Sequence, residues 1–185
     1  MVIAIVGMPG SGKSAVAEQL KLKGLPIIRF GQIVVDELIR LGLEINPHNE
    51  RQVREDLRAT FGMDVCARRS IPMVRSAYRT SPIVVVDGLY GWTEYKTLKA
   101  EFREKLTVIA VVAAREIRYE RLRTRGVRPL TRDEAEVRDV AEIESLEKGG
   151  PIAIADYFLP NEGSLDSLHV MVEDLFRKSF VSARI

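Results

Sequence analysis

The chain predicts an α/β fold, a doubly wound parallel sheet with helices on both faces, and three observations predict it. An apolar run, Val2-Ile3-Ala4-Ile5-Val6, leads straight into a glycine-rich turn, Gly7-Met8-Pro9-Gly10-Ser11-Gly12-Lys13-Ser14. Two more unbroken β-preferring runs follow far along the chain, Ile83-Val84-Val85-Val86 and Thr107-Val108-Ile109-Ala110-Val111-Val112-Ala113. Runs apolar at every position suit strands covered on both faces, as in parallel sheets. Segments of helical periodicity separate them, and no repeat, low-complexity tract or long linker breaks the alternation.

The first element carries the chemistry. Gly7 to Ser14 fits G-x-x-x-x-G-K-[ST] at every fixed position, the pattern whose backbone N–H groups wrap the phosphates of a nucleoside triphosphate. A strand is expected before it, and a helix opening at Ala15-Val16-Ala17 after it, whose N-terminal partial charge favours an anion. Gly7, Met8, Pro9, Gly10, Ser11 and Gly12 form the expected nucleotide cradle. Lys13 is expected to reach the β- and γ-phosphates and Ser14 to bind Mg²⁺.

Composition narrows the rest. At 185 residues, 46% hydrophobic and 29% charged, the chain suits one packed domain covering 1–185. The N-terminal apolar run lacks a basic leader, and no run approaches the ~18 apolar residues of a membrane span, so a cytoplasmic protein without membrane contact is expected. The lone Cys66 forms no internal disulfide, and His48 and His169 lack metal-ligand spacing. A net charge of +2 gives no case for nucleic acid, although 20 of the 28 basic residues are arginine, the side chain whose planar fork matches phosphate.

In chain order, Leu25-Pro26-Ile27-Ile28 reads as a short strand, and Ile33 to Ile39 as a helix after Gly31. Asn46-Pro47 signals a helix start, with helix from Asn49 to Thr60, a break at Gly62, and a second helix from Asp64 toward Arg79, bent near Pro72. Residues 31–80 thus form a helical, arginine-rich block between strands, suited to a lid or acceptor platform. Asp87 falls at the C-terminal end of the second apolar strand, where open α/β sheets place ligands, and is the candidate for holding Mg²⁺ through water or orienting an acceptor. Tyr95, Leu98 and Phe102 share a helix face.

After the third apolar strand, Arg118, Arg121 and Arg125 fall on one helix face. Gly126 and Pro129 end that helix, and Thr131-Arg132-Asp133-Glu134 is a capping box opening another that carries Arg138. An arginine hairpin over 121–138 would close over phosphates and stabilise transferring charge. Gly149-Gly150-Pro151 is expected to stop the helix, Ala155 to Leu159 to form the last strand, and Ser164 to cap a final helix with Leu165, Leu168, Val172, Leu175 and Phe176 inward. The Asn161 turn would lie beside the phosphate loop, near a purine.

Taken together, the phosphate loop, Asp87-Gly88, the arginine hairpin and the stretch Ala155-Asp156-Tyr157 through Asn161-Glu162-Gly163-Ser164 resemble the nucleotide-kinase group of P-loop proteins. The nearest resemblance is to a mainly archaeal family related to adenylate kinases and dephospho-coenzyme A kinases, over nearly the whole chain. The resemblance implies a nucleoside monophosphate kinase-like P-loop NTPase fold with a five-stranded parallel core, a helical acceptor-binding insertion and a short arginine-rich lid. Arg121 and Arg125 match spaced lid arginines, one against the ATP base and one on phosphate, and Arg138 resembles a third.

The departures fall on the acceptor side. Where adenylate-kinase-like proteins carry Gly-Asp-x-x-Arg, this chain has Gly31-Gln32-Ile33-Val34-Val35, and Asp87-Gly88 is followed by Leu89-Tyr90-Gly91-Trp92 without an arginine. Two charge-assisted phosphate contacts, each worth ~1.5–3 kcal/mol, are missing. Arg29, Arg40, Arg54 and Arg58 are the available substitutes, and Tyr90 and Trp92 the available stacking surfaces. The early aspartate that dephospho-coenzyme A kinases use as a base is also absent, since the chain reads Arg29-Phe30-Gly31.

The expected function is a Mg-ATP-dependent kinase acting on a small nucleotide or nucleotide-like acceptor. Lys13, Asp87, Arg121, Arg125 and Arg138 would be catalytic, Arg121 and Asn161 would help hold ATP, and Gly31, Arg58, Gly88 and Tyr90 would meet the acceptor. The alternatives are dephospho-coenzyme A kinase-like activity and an ATP-binding switch or slow ATPase acting on a macromolecule. The missing clamps motivate the latter.

Overall fold

The computed structural model describes residues 1–181. Five strands run β1 (Val2–Val6), β2 (Ile27–Arg29), β3 (Val84–Asp87), β4 (Leu106–Val112) and β5 (Tyr157–Pro160). They form one sheet in the order β2-β3-β1-β4-β5, and every pairing is parallel. Strand β1 is central, with Val2 beside both Val84 and Leu106, and all five of its residues are fully buried. The chain leaves β1 toward β2 on one side and later crosses to β4 on the other. The crevice at the C-terminal end of β1 is therefore a topological switch point, where such sheets bind ligands.

The helices are α1 (Lys13–Leu22), α2 (Phe30–Leu41), α3 (Pro47–Phe61), α4 (Val65–Ala77), α5 (Trp92–Phe102), α6 (Arg115–Thr124), α7 (Arg132–Glu144), α8 (Gly149–Ala153) and α9 (Leu165–Leu175). The two-residue period of the strands sorts the core into two layers. Ile3, Ile5, Val85, Ile109 and Val111 pack with Val16 and Leu20 of α1 and Leu168 and Val172 of α9. Val2, Ala4, Val6, Val84, Val86 and Val108 pack on the opposite side with Phe30, Val34 and Leu38 of α2, Val74 of α4 and Leu98 of α5. Each buried aliphatic side chain contributes roughly 1.5–3 kcal/mol, which fixes the sheet and so the position of the loop that leaves β1.

Local signals set the helix starts. The Asn46 side chain accepts from the Asn49 amide at 2.9 Å with Pro47 in the first turn, Thr131 and Glu134 form a capping box, and Ser164 accepts from the Ser167 amide at 3.2 Å. Pro72 lies inside α4 rather than ending it.

Three expectations need correction. Gly149-Gly150-Pro151 do not stop a helix but begin α8, while α7 has already ended at Glu144. A proline in a first turn forfeits no intrahelical donor, so this placement costs little. The last strand runs Tyr157–Pro160 instead of 155–159; Asp156, just before it, is tied to Val108 by its amide, which donates to the Val108 carbonyl at 3.0 Å, and by its carboxylate, which accepts the Val108 amide at 2.7 Å. Pro160 is tolerated because β5 is an edge strand. Leu165 does not point inward: it sits in the first turn of α9 and is 55% exposed.

Candidate functional site: a phosphate loop facing a buried charged cluster

The loop Gly7 to Ser14 joins the buried β1 to α1 and is braced on every side. Gly10 (φ 78°) and Gly12 (φ 102°) hold left-handed backbone that other residues avoid, and both are also crowded. A Cβ on Gly10 would stand 2.6 Å from the Arg118 carbonyl oxygen, and one on Gly12 would stand 2.1 Å from Asn161 Nδ2. Asn161 earns its place here: its Nδ2 donates to the Ser11 carbonyl at 2.8 Å across 150 residues of sequence. Ser11 is fully buried, and its hydroxyl has no hydrogen-bond partner.

Lys13 opens α1, and its ammonium donates to the Met8 carbonyl at 3.0 Å, across the loop it closes. Burial lowers its pKa to about 8, Asp87 opposes this, and Arg138 and Arg118 add to it. Asp87 thus faces Lys13 from the end of β3, as expected, with Arg29 of β2 at 3.8 Å. Burial pushes the Asp87 carboxyl above its ordinary value against the pull of Arg29 and Lys13. Ser14 is exposed in the first turn of α1. Gly88 (φ 99°) turns the chain directly after Asp87, against the Tyr90 ring.

The arginines of α6 and α7 divide by role. Arg118 is buried, forms a bidentate pair with Asp139 at 2.9 and 2.6 Å, and donates to the Pro9 carbonyl at 3.0 Å. It ties α6 and α7 to the phosphate loop. Arg121 donates to the Asn161 carbonyl at 2.8 Å and to the Gly163 carbonyl at 3.3 Å, so the two residues expected to flank a base meet. Arg125 corrects the shared-face expectation. It lies past the end of α6 in extended backbone, and its Nε donates to the Arg128 carbonyl. Arg138, paired with Glu142 at 3.3 Å, is near enough to Lys13 to lower its pKa.

Four buried charges escaped the sequence reading: Asp139 and Glu142, already placed beside Arg118 and Arg138, and Lys148 and Glu94. Lys148 is 1% exposed; its ammonium is bonded to Glu142 and lies 4.9 Å over the Tyr90 ring. Burial, Lys13 and Arg138 press its pKa downward to about 6, while Glu94 opposes them. Glu94 is 1% exposed. Its Oε2 accepts the Tyr90 and Gly91 amides at 2.8 and 3.2 Å, and burial raises its pKa to about 7 against Arg58. The signal available in sequence was Gly91-x-x-Glu94 as a helix-start pattern, which says nothing of burial.

Of the residues expected to meet an acceptor or to replace the missing clamps, Arg58 of α3 stands 3.9 Å from Glu94, whereas Arg40 is exposed on α2 and held by Glu37 at 2.7 Å. Gly31 is the second residue of α2, with nothing near its Cα that a side chain would strike. Trp92 is no free stacking surface: it stacks on Tyr95 at 5.1 Å and packs against Gly150, and one face of Tyr90 is taken by Lys148. Among the described residues no cluster of three or more His, Cys, Asp or Glu is arranged for a metal, and no helix is long and apolar enough to cross a membrane.

A parallel sheet ordered around β1, the lysine-bearing loop at its end and helices on both faces make this a P-loop protein of kinase-like fold. A family model described as an AAA domain matches residues 3–148. The chain belongs to the UPF0200 family: it is 36% identical over 181 residues to a UPF0200 protein of Thermococcus gammatolerans, spanning 96% of this chain and 95% of that one. A UPF0200 protein of Hyperthermus butylicus is 34% identical over 180 residues, spanning 96% and 94%. Among solved structures, TT1252 from Thermus thermophilus superposes with a TM-score of 0.67 at 23% identity, covering 97% of each chain. Shikimate kinase from Bacteroides thetaiotaomicron does so with a TM-score of 0.60 at 12% identity, covering 96% of this chain and 98% of that one. At such identities these two likenesses establish the fold alone.

Proposed function

We propose that this protein is a Mg-ATP-dependent phosphotransferase acting on a small nucleotide-like acceptor. The observation that carries this reading is the convergence at the end of β1 of the phosphate loop, Lys13, Asp87 and Arg138. The donor set fits a nucleoside triphosphate: two glycines whose positions exclude side chains, a buried Ser11 hydroxyl without a partner, and a lysine at the helix start. The loop amides from Gly7 to Ser14 and Lys13 hold the phosphates, and Arg121 and Asn161 border the base. Ser14 and Asp87 hold Mg²⁺, which when bound neutralises phosphate charge.

Within this reading, residues 31–80 receive the acceptor and 121–138 form a lid. Arg128 in the loop between α6 and α7 forms a bidentate pair with Glu50 of α3 at 2.7 and 3.1 Å, so the two segments already touch across the crevice. Phosphoryl transfer asks a protein chiefly for positioning and charge, and Lys13, Arg138 and Arg125 supply positive charge as the transferring group separates.

The test is ADP release from MgATP measured across a panel of nucleosides, nucleotides and coenzyme A precursors. Stimulation by one of them supports the reading. Stimulation by protein or RNA alone supports a nucleotide-dependent switch instead.

A further inference from the structure

Segments 31–80 and 121–138 are fastened at one point. Arg128, in the loop between α6 and α7, forms its bidentate pair with Glu50 in the first turn of α3, and among the described residues no other hydrogen bond or ion pair joins the two segments. Arg128 also sits in left-handed backbone (φ 55°), which a residue with a side chain keeps only where its surroundings impose it. Two contacts hold it there: Glu50 takes its guanidinium, and Arg125 Nε donates to its carbonyl.

Arg125 is covered by this arrangement. Its Nη2 is buried without a hydrogen bond, and burial, with Arg138 and Arg128 adding to it, holds its pKa below the ordinary arginine value. A buried guanidinium N–H that lacks an acceptor and faces two like charges is unfavourable, and it relaxes once the loop is let go. The fastening itself is weak. Its side chains are 46% exposed on Arg128 and 15% on Glu50, and ion pairs open to solvent contribute little. A phosphate group offers Arg128 the same two-oxygen fork that Glu50 does. Arg128 holds the Glu50 carboxyl below its usual range, and Arg54, one turn further along α3, adds a smaller pull, so a group that takes the place of Glu50 meets both arginines.

We infer that the Glu50–Arg128 pair is an autoinhibitory clasp, which shuts the loop of 121–138 onto α3 and keeps Arg125 covered until a phosphate group of an incoming ligand takes Arg128 from Glu50. Opening lets Arg128 leave its left-handed backbone and withdraws the carbonyl that engages Arg125. The guanidinium that serves the transferring group is then uncovered only once a ligand has arrived. The inference rests on the phosphotransferase reading only for the use to which Arg125 is put.

The experiment measures, in the full chain, the distance between spin labels attached at Ala59→Cys of α3 and Val127→Cys of the loop, both exposed positions; Cys66 is buried and escapes labelling. Double electron–electron resonance is expected to give one narrow distance for the free protein and a longer, broader one in Glu50→Gln. Inorganic phosphate or MgATP should lengthen the distance in the unsubstituted clasp, and which of the two does so separates an acceptor phosphate from that of the donor. Glu50→Arg should open the clasp, and Arg128→Glu added to it should close it again, a rescue that lost packing would not give. Affinity for the opening ligand should rise about fivefold in Glu50→Gln, as removal of one competing exposed ion pair of about 1 kcal/mol implies. An unchanged distance in Glu50→Gln overturns the inference. So does equal lengthening with sodium chloride at matched ionic strength, which would be screening alone. Lengthening with phosphate but no calorimetric heat with MgATP would sustain the clasp and overturn the phosphotransferase reading, whereas MgATP heat with no lengthening by either ligand would overturn the clasp and leave that reading standing.

Discussion

The two walls of the crevice are finished to different degrees. On the phosphate side, Arg118 is matched by Asp139 and the Pro9 carbonyl, Asn161 is bonded to Ser11 and Arg121, and two glycines are packed against backbone and amide. On the opposite wall, formed by α3 and the start of α5, Arg58 and Glu94 stand 3.9 Å apart without a hydrogen bond, and Phe61 and Met63 are exposed at the end of α3. The contrast teaches that a phosphate cradle needs rigid backbone whatever the acceptor, so it is built and braced within the chain.

The largest effect should come from the braced side. Lys13→Ala is expected to lower phosphoryl transfer by about 10²–10³-fold or more, the loss typical of one preorganised charge donor, with an unchanged circular-dichroism spectrum. Wild-type turnover in that variant would remove the proposed mechanism. Next, Arg118→Leu leaves Asp139 buried without its cation and should destabilise the fold by roughly 3–5 kcal/mol in urea unfolding. A loss under 1 kcal/mol would mean that the strut between α6 and the loop is dispensable.

The wall that holds Glu94 should answer to pH. The Glu94 pKa is raised to about 7 in the fold against an ordinary 4.5, so between those values the native state binds more protons than the unfolded chain. Stability is then lost as pH rises through that window, by roughly 3 kcal/mol from this group once ionised. Glu94→Gln, which keeps an acceptor for the Tyr90 and Gly91 amides, should be more stable than wild type at pH 8 and show little difference at pH 5. Equal stability at both pH values would contradict the burial argument.

The smallest effect tests Lys13 itself. With its pKa lowered to about 8, MgATP affinity should weaken as pH rises through 8, since the bound phosphates need the charged form. The stability term has the opposite sense: the unfolded chain binds the extra proton between about 8 and 10.5, so folding gains as pH rises there. Arg138→Ala removes a neighbouring cation and should move the affinity break upward. Calorimetric titrations of MgATP from pH 6.5 to 9.5 would read the first sign, and urea unfolding of the free protein between pH 8 and 10 the second.

The same contrast explains what sequence could reveal. The strand β1, its loop and the caps at Asn46, Thr131 and Ser164 are specified by residues adjacent in the chain, and each was legible. Asp87 was legible because an apolar run ends on it. Glu94, Lys148 and the Arg118–Asp139 pair were not, because charged residues on polar helices read as solvent-facing until α5, α7 and α8 pack together around them. Trp92 was misjudged for the same reason, since Tyr95 and Gly150 claim its faces only in three dimensions. Local chemistry marked the phosphate loop, while the cluster around Glu94 and Lys148 depends on contacts between segments distant in sequence.

The most direct measurement is calorimetric titration of MgATP into the wild-type protein, paired with thermal unfolding in its presence. Saturable one-site heat and a raised melting temperature, both lost in Lys13→Ala, are the predicted result. No heat and no thermal protection with either MgATP or MgGTP would contradict the account.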